Sequence, residues 1–306
     1  MTDIIGKRFR FFLISGIVLL IGIISLASFG LKAGIEFGAG SLLTLDFENE
    51  VSVEQVKQEL DTLGHSGATV QITGDGNIVL RTVEMTTTEK VQLEEGLATA
   101  LGPLTELSFD DVDPLVAHQT ARTAAIAVAV AAVGILLYIT WAFRRMPKPF
   151  RYGTCAIVAL IHDALVVMGV FSILGGLLDR EVNLMFITGI LAVIGYSVNN
   201  TVVVFDRIRE NQMRSSGASF ESIVNNSLAE TLTRSLNTSV TTIIVVLALL
   251  LFVGSTIQNF SAVLLIGILA GTFSSLFVAP SLLVVWERGE WGRFLRWLPL
   301  ARNKNG

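Results

Sequence analysis

Runs of about 18 or more mainly apolar residues recur six times along this 306-residue chain. Each is long enough, as a helix, to cross roughly 30 Å of hydrocarbon. Nothing constrains the fold more. Hydrocarbon offers the backbone no hydrogen-bond partners, so an open spanning segment must satisfy its own amides and carbonyls, which a helix does. Charge agrees with this. Only 16% of residues are Asp, Glu, Lys or Arg, where a soluble domain carries about a quarter. The pattern predicts an α-helical polytopic membrane protein with six transmembrane helices at about 11–31, 121–142, 154–175, 184–205, 235–254 and 260–285. Lys7, Arg8 and Arg10 precede the first run in the manner of a signal peptide. The run exceeds the usual length of a signal h-region and no A-x-A-like site ends it, so it reads as a retained span. The single cysteine, Cys155, excludes an intrachain disulfide.

Lysine and arginine orient the spans. Lys7, Arg8 and Arg10 lie at the N-terminus, and Arg144, Arg145, Lys148 and Arg151 follow the second span. Arg207, Arg209 and Arg214 follow the fourth, and Arg288, Arg293, Arg296, Arg302 and Lys304 follow the sixth. The alternate connections are poor in bases. Residues 1–10, 206–234 and 286–306 are therefore expected in the cytoplasm, with 206–234 as a loop, and 32–120 on the outer side.

The outer segment is acidic, with fifteen Asp and Glu between Ser41 and Asp113 against Lys57, Arg81 and Lys90. It carries the marks of a folded domain. Ser41 to Glu48 alternates like a strand. Ser52-Val-Glu-Gln55 and Thr86-Thr-Thr-Glu89 are capping boxes, predicting helices to about Leu63 and Leu101. Thr69 to Val83 reads as a hairpin turning at Gly74-Asp75-Gly76, and Leu104 to Val112 as a last strand. The order β-α-β-β-α-β predicts a small α+β ferredoxin-like extracytoplasmic domain.

Polar groups inside the spans are the functional candidates, because hydrocarbon makes them costly. His162-Asp163 places an acid beside a histidine near the middle of the third span, either as a proton relay or as a lock between helices. Tyr196, Ser197, Asn199 and Asn200 form a dense polar patch in the fourth span, fit to line a hydrated path or to bond neighbouring helices. Asp206 and Arg207 belong to a charged helix end, where snorkelling and salt bridging suffice. Arg234 opens the fifth span, followed by Ser235, Asn237, Thr238, Ser239, Thr241 and Thr242, and either reaches the depth of Asn200 or snorkels to the interface. Two alanine and glycine patterns, Ala121, Ala125, Ala129 and Ala132 in the second span and Gly267 to Gly271 with Ser274 and Ser275 in the sixth, predict close helix packing. No P-loop, HExxH or CxxC is present, so no cofactor or metal is expected; His65 and His118 fit ordinary surface roles.

These motifs resemble the SecF family of bacterial and archaeal protein export, within the resistance–nodulation–division superfamily. Gly34-Ile-Glu-Phe-Gly-Ala-Gly40, Ala159-Leu-Ile-His-Asp163, the run Gly195 to Asn211 and Thr231-Leu-Thr-Arg-Ser-Leu-Asn-Thr-Ser239 carry the resemblance, which covers nearly the whole chain. It implies a half-bundle that pairs with SecD into a twelve-helix unit. Its other implied partners are the SecYEG channel, YajC, the translocating polypeptide and protons, with no nucleic acid and no enzymatic activity. It implies location in the cytoplasmic membrane and use of the proton-motive force to move outer domains. Two departures stand out. The family pattern after the first span is Gly-x-Asp-Phe-x-Gly-Gly, where this chain has Glu36 and Ala39. In the fourth span the family's proton-linked Asp is here Asn200, an amide that cannot carry a proton. The acid is then expected from SecD, with a larger share for Asp163 or a weakened coupling as the other outcomes. A small-solute or lipid exporter of the same superfamily and an uncoupled membrane scaffold are the competing readings.

Overall fold

A computed structural model describes residues 3–73, 76–214, 217–253 and 257–292. After a 3-10 turn at Ile5–Lys7 the elements are α1 (Arg8–Phe29), α2 (Ile35–Gly38), β1 (Gly40–Phe47), α3 (Val53–Thr62), β2 (Thr69–Ile72), β3 (Ile78–Thr82), α4 (Thr87–Leu101) and β4 (Leu104–Val112). The bundle continues with α5 (Pro114–Ala142), α6 (Phe150–Leu178), α7 (Leu184–Arg214), α8 (Phe220–Phe252), α9 (Gln258–Phe273), a π-helical turn at Ser274–Val278, and α10 (Ala279–Arg288). α9, the π turn and α10 are one continuous span. Six helices in all are long and apolar enough to cross a membrane among the described residues.

The helices outrun the apolar segments predicted for them. The expected loop 206–234 is mostly helix, because α7 runs on to Arg214 and α8 begins at Phe220. Ion pairs on the helix surface explain the overrun: Asp206–Arg209 at 2.7 Å, Arg207–Glu210 at 2.5 Å and Glu210–Arg214 at 2.6 Å sit at i,i+3 or i,i+4 spacing. Arg207 also reaches Glu230 across to α8, and Ser219 caps the start of α8. Hydrophobic periodicity reads only the part of a helix that faces hydrocarbon or core, so it is blind to such polar extensions.

The bundle is packed with small groups inside and large ones outside. The buried residues of α1 are Arg8, Ser15, Gly22 and Ser25, whereas Leu20, Ile21, Ile23 and Ile24 are exposed. A side chain added at Gly169 of α6 would bring its Cβ to 2.5 Å from the Gly22 Cα. The two backbones therefore touch, and Ser25 donates to Ser172 Oγ one turn away at 2.9 Å. This is how helices associate where lipid removes the hydrophobic drive. The glycines of α9 are used similarly: a Cβ on Gly271 would lie 3.0 Å from that of Ser197 on α7. The alanine pattern of the second span is not: Ala125 and Ala129 are exposed on α5, which packs against α6 chiefly around the buried Ile139.

Outside the bundle, four antiparallel strands lie in the order β2-β3-β1-β4, the ferredoxin-like arrangement. Both capping boxes form, at Ser52 with Gln55 and Thr86 with Glu89. Leu43, Leu45, Val70, Ile78 and Leu80 from the strands pack with Val56 and Leu60 of α3 and Leu93 and Leu97 of α4. The other sheet face looks toward the bundle. The hairpin turn expected at Gly74-Asp75-Gly76 lies in part outside the described residues. Leu107 has no partner where the β1–β4 register shifts between Thr44 and Leu45, a bulge that alternation alone does not reveal.

Ala39, at the departure from the Gly-Gly pattern, takes φ 61°. That conformation suits glycine and costs an L residue on the order of 1–3 kcal/mol. Ala39→Gly should therefore raise the stability of the sheet domain by about 1 kcal/mol, read as slower hydrogen exchange of the β1 amides. A second expectation concerns pH. Lys90 bonds Glu106 at 2.5 Å, which raises the lysine's pKa and holds Glu106 below the usual carboxylate range. The Thr86 N–H and hydroxyl lower Glu89, while burial pushes Glu94 up against the pull of Lys90. Depressed carboxyls stabilise the fold above their unfolded pKa, and that contribution fades as pH falls through their folded values; the contribution of Lys90 fades only as pH rises past its own. Removing Lys90 with Lys90→Met should lower β1 protection at pH 7 and flatten its loss between about pH 5 and 3.

Candidate functional site

Asp163 sits on α6 with 1% of its surface exposed, and three helices converge on its carboxylate. Ser197 of α7 donates to Oδ2 at 2.6 Å, and Ser274, the first residue of the π turn, donates to the same oxygen at 2.8 Å. His162 Nδ1 lies 3.0 Å from Oδ1, so a proton on that nitrogen completes a shell of three donors. A buried carboxylate is tolerable only with such a shell. The π turn belongs to the site: its wider winding falls in the span where Ser274 meets Asp163, and such turns cluster at functional positions.

The geometry admits two protonation arrangements. Ser274 Oγ also lies 3.3 Å from the Gly271 carbonyl. With Asp163 ionised, Ser274 gives its proton to the carboxylate. With Asp163 protonated, the acid can donate to Ser274, which turns its own hydrogen to Gly271. A proton can thus arrive without leaving a buried group unsatisfied. His162 Nε2 is buried and has no partner among the described residues. The ring borders a cavity of about 210 Å³ lined by Ile14, Ser15 and Val18 of α1 and by Phe273.

The other candidates divide into separate groups. Tyr196 OH donates to Ser239 Oγ at 2.9 Å, and Ser239 meets Thr272 Oγ1 at 2.6 Å, a hydroxyl chain linking α7, α8 and α9. Asn200 is 4% exposed, and its Nδ2 has no partner among the described residues. Ser235 Oγ is in the same condition. The Tyr196–Ser239 bond marks the antiparallel register of α7 and α8, and counting one turn along each helix from it places Asn200 and Ser235 at about the same level. Asn199 faces out of the bundle, as does Arg234, for which the described residues supply no ion pair. The same register puts Arg234 between the levels of Asn200 and Asp206. Asp206 and Arg207 lie in the ion-paired end of α7, away from Asp163. Ser274 was legible in the sequence only as a small packing residue; its role as a donor depends on the π turn.

With this geometry in hand, three comparisons bear on the chain. Residues 93–289 match the model of the family "Protein export membrane protein SecD/SecF, C-terminal". The Protein translocase subunit SecF of Thermobaculum terrenum is 45% identical, covering 97% of both chains, and that of Anaerolinea thermophila 40% identical, again with 97% of each. The SecDF subunit of Bacillus subtilis is 36% identical over 94% of this chain, which spans 38% of that longer protein. Among solved structures, SecDF from Thermus thermophilus, described as a translocon-associated membrane protein, superimposes with a TM-score of 0.84 at 30% identity, covering 94% of this chain and 39% of that one.

Each serine on Asp163 should carry measurable stability. Ser197→Ala or Ser274→Ala leaves a buried charged acceptor short of one donor, a loss of about 1.5–3 kcal/mol. Unfolding of the detergent-solubilised protein should move accordingly, while Ser222→Ala, remote from Asp163, should leave it unchanged.

Proposed function

Because this chain belongs to the SecF family of protein translocase subunits, we propose that it pairs with SecD and uses the proton-motive force to assist polypeptide export beside the SecYEG channel and YajC. Both termini then lie in the cytoplasm and the acidic domain outside, which the distribution of lysine and arginine supports. The observation that carries the pairing is the outward polar stripe of α7 and α8. Thr188, Gly195 and Asn199 on α7 and Arg234, Asn237, Thr238 and Thr241 on α8 are all exposed. An arginine with no ion pair among the described residues and side-chain amides are costly against hydrocarbon, so this face calls for a second protein surface. That the SecDF chain of B. subtilis is far longer supports SecD as its source.

Proton use rests on Asp163. Asn200 holds no proton, so within this chain Asp163 is the acid with a prepared environment, and an acid from SecD facing Arg234 completes the path. Each elementary charge crossing 100 mV supplies ~2.3 kcal/mol, a bias of roughly fifty-fold on a two-state motion at ~1.36 kcal/mol per decade. A ratchet that limits backsliding of a polypeptide works on a bias of that size.

Two measurements test the reading. SecD should accompany the full chain when it is isolated from native membranes, and Arg234→Ala should weaken that association. Asp163→Asn should retain SecD yet reduce the proton-motive-force-dependent part of export by about tenfold or more. Undiminished export in that variant would remove Asp163 from the coupling, and a competent pump formed by this chain without SecD would favour a solute exporter.

A further inference from the structure

A cleft of about 720 Å³ separates the underside of the outer sheet from the bundle. Its roof is the sheet face that α3 and α4 leave uncovered, with Leu42, Thr44, Gln71, Val79 and Ser108; its floor includes Asn183 and Gln258 at the outer ends of α7 and α9. A polar latch joins roof to floor. Arg81 of β3 donates through Nη1 to Glu181 Oε1 at 2.9 Å and to the Ala33 carbonyl at 2.5 Å. Gln71 Nε2 donates to the Asp179 carbonyl at 3.2 Å. The floor is itself tied together, since Ala33 and Val182 form a parallel bridge and Asn259 Nδ2 donates to the Glu181 carbonyl at 2.9 Å.

We propose that this cleft binds an extended segment of polypeptide and that the Arg81–Glu181 latch sets its width. The inference rests on the export reading and deepens it by naming a place where this chain touches its cargo. Size is the first argument: the volume falls within the ~300–1,000 Å³ of sites that enclose a drug-sized ligand or a short peptide. Chemistry is the second. An extended backbone presents N–H and C=O groups whatever its sequence, and hydroxyls and amides answer both. Thr44, Ser108 and Gln258 supply such groups, and Leu42 and Val79 receive apolar side chains between them. Asn183 spends its Oδ1 on the Phe186 N–H, and Gln71 its Nε2 on the latch, so each keeps the other half of its amide for a ligand. Charge is the third. Arg81 and Glu181 neutralise one another and Asp179 is paired with Lys32, but Glu36 and Asp110 outnumber Arg180 on the remaining wall, so the cleft disfavours a small anion, and the described residues hold no cluster of side chains that could fix a metal ion. Sequence-tolerant binding of this kind suits a subunit that handles many exported chains.

The test is site-specific photocrosslinking in membranes containing the full export complex. The probe is an exported polypeptide arrested midway by a folded C-terminal domain. A benzophenone side chain in place of Thr44 or Ser108 should yield about fivefold more adduct with the arrested polypeptide than one in place of Lys57 on the outer face of α3. Glu181→Gln, which removes the ionic part of the latch and leaves Arg81 held by the Ala33 carbonyl, should lower the Thr44 adduct by about threefold, with unchanged β1 amide protection showing that the domain remains folded. Equal yields at Thr44 and Lys57 would overturn the proposal, as would a Thr44 adduct with SecD that persists whether or not the arrested polypeptide is present. Either result leaves the pairing with SecD standing if SecD still accompanies the chain. Loss of that association would count against the export reading alone.

Discussion

A carboxylate buried in a bundle immersed in hydrocarbon must find all its hydrogen-bond donors within the protein. Asp163 does so by drawing on three helices at once, and this requirement organises the centre of the molecule. Ser197 has to face α6, and Gly271 has to lack a side chain for α7 to lie close enough against α9. The sixth span has to change its winding where Ser274 enters. Each of these is a packing decision made by a polar group, in a setting where apolar contacts with neighbouring helices gain little over contacts with lipid. The switch available to Ser274, between the carboxylate and the Gly271 carbonyl, gives that centre two satisfied states rather than one.

The same physics explains the inverted look of the bundle. Serine and glycine are inside along α1, and isoleucine and leucine are outside. Where the outside is polar instead, as along α7 and α8, the rule is broken in a way that lipid does not accommodate. Arg234 stands on this exposed face, whereas Asn200 of α7 is buried. The described residues include an acid with a prepared environment at the core, Asp163, and on the flank a base, Arg234, that has no ion pair among them.

The sheet domain meets the bundle through side chains on main-chain carbonyls and one half-buried ion pair. Contacts of this kind fix geometry while contributing modestly to stability, since partly exposed pairs are worth roughly 0–1 kcal/mol. The domain has its own core, built from Leu43, Leu80, Val56 and Leu97 among others. Its fold therefore rests on contacts of its own rather than on those with the bundle. The strain held at Ala39 lies in the connection between the two.

How much of this was legible beforehand depends on the range of the interaction involved. The six spans, the two capping boxes and the succession of strands and helices along the chain rest on local rules, so the residues themselves determine them: apolar length against membrane thickness, and Ser or Thr three residues before Gln or Glu. His162 and Asp163 were visible as candidates because an ion in an apolar run is conspicuous without any structure. What surrounds Asp163 was not. Ser274 lies 111 positions away in sequence and reads as a packing residue until a π turn aims it at the carboxylate. The same holds for the outward turn of Arg234, for the exposed Ala125 and Ala129, and for the latch that joins Arg81 to Glu181 across 100 residues. Local composition fixes which segments become helices and strands. Which face each helix turns inward is decided only when helices distant in sequence compete for the same buried polar contacts.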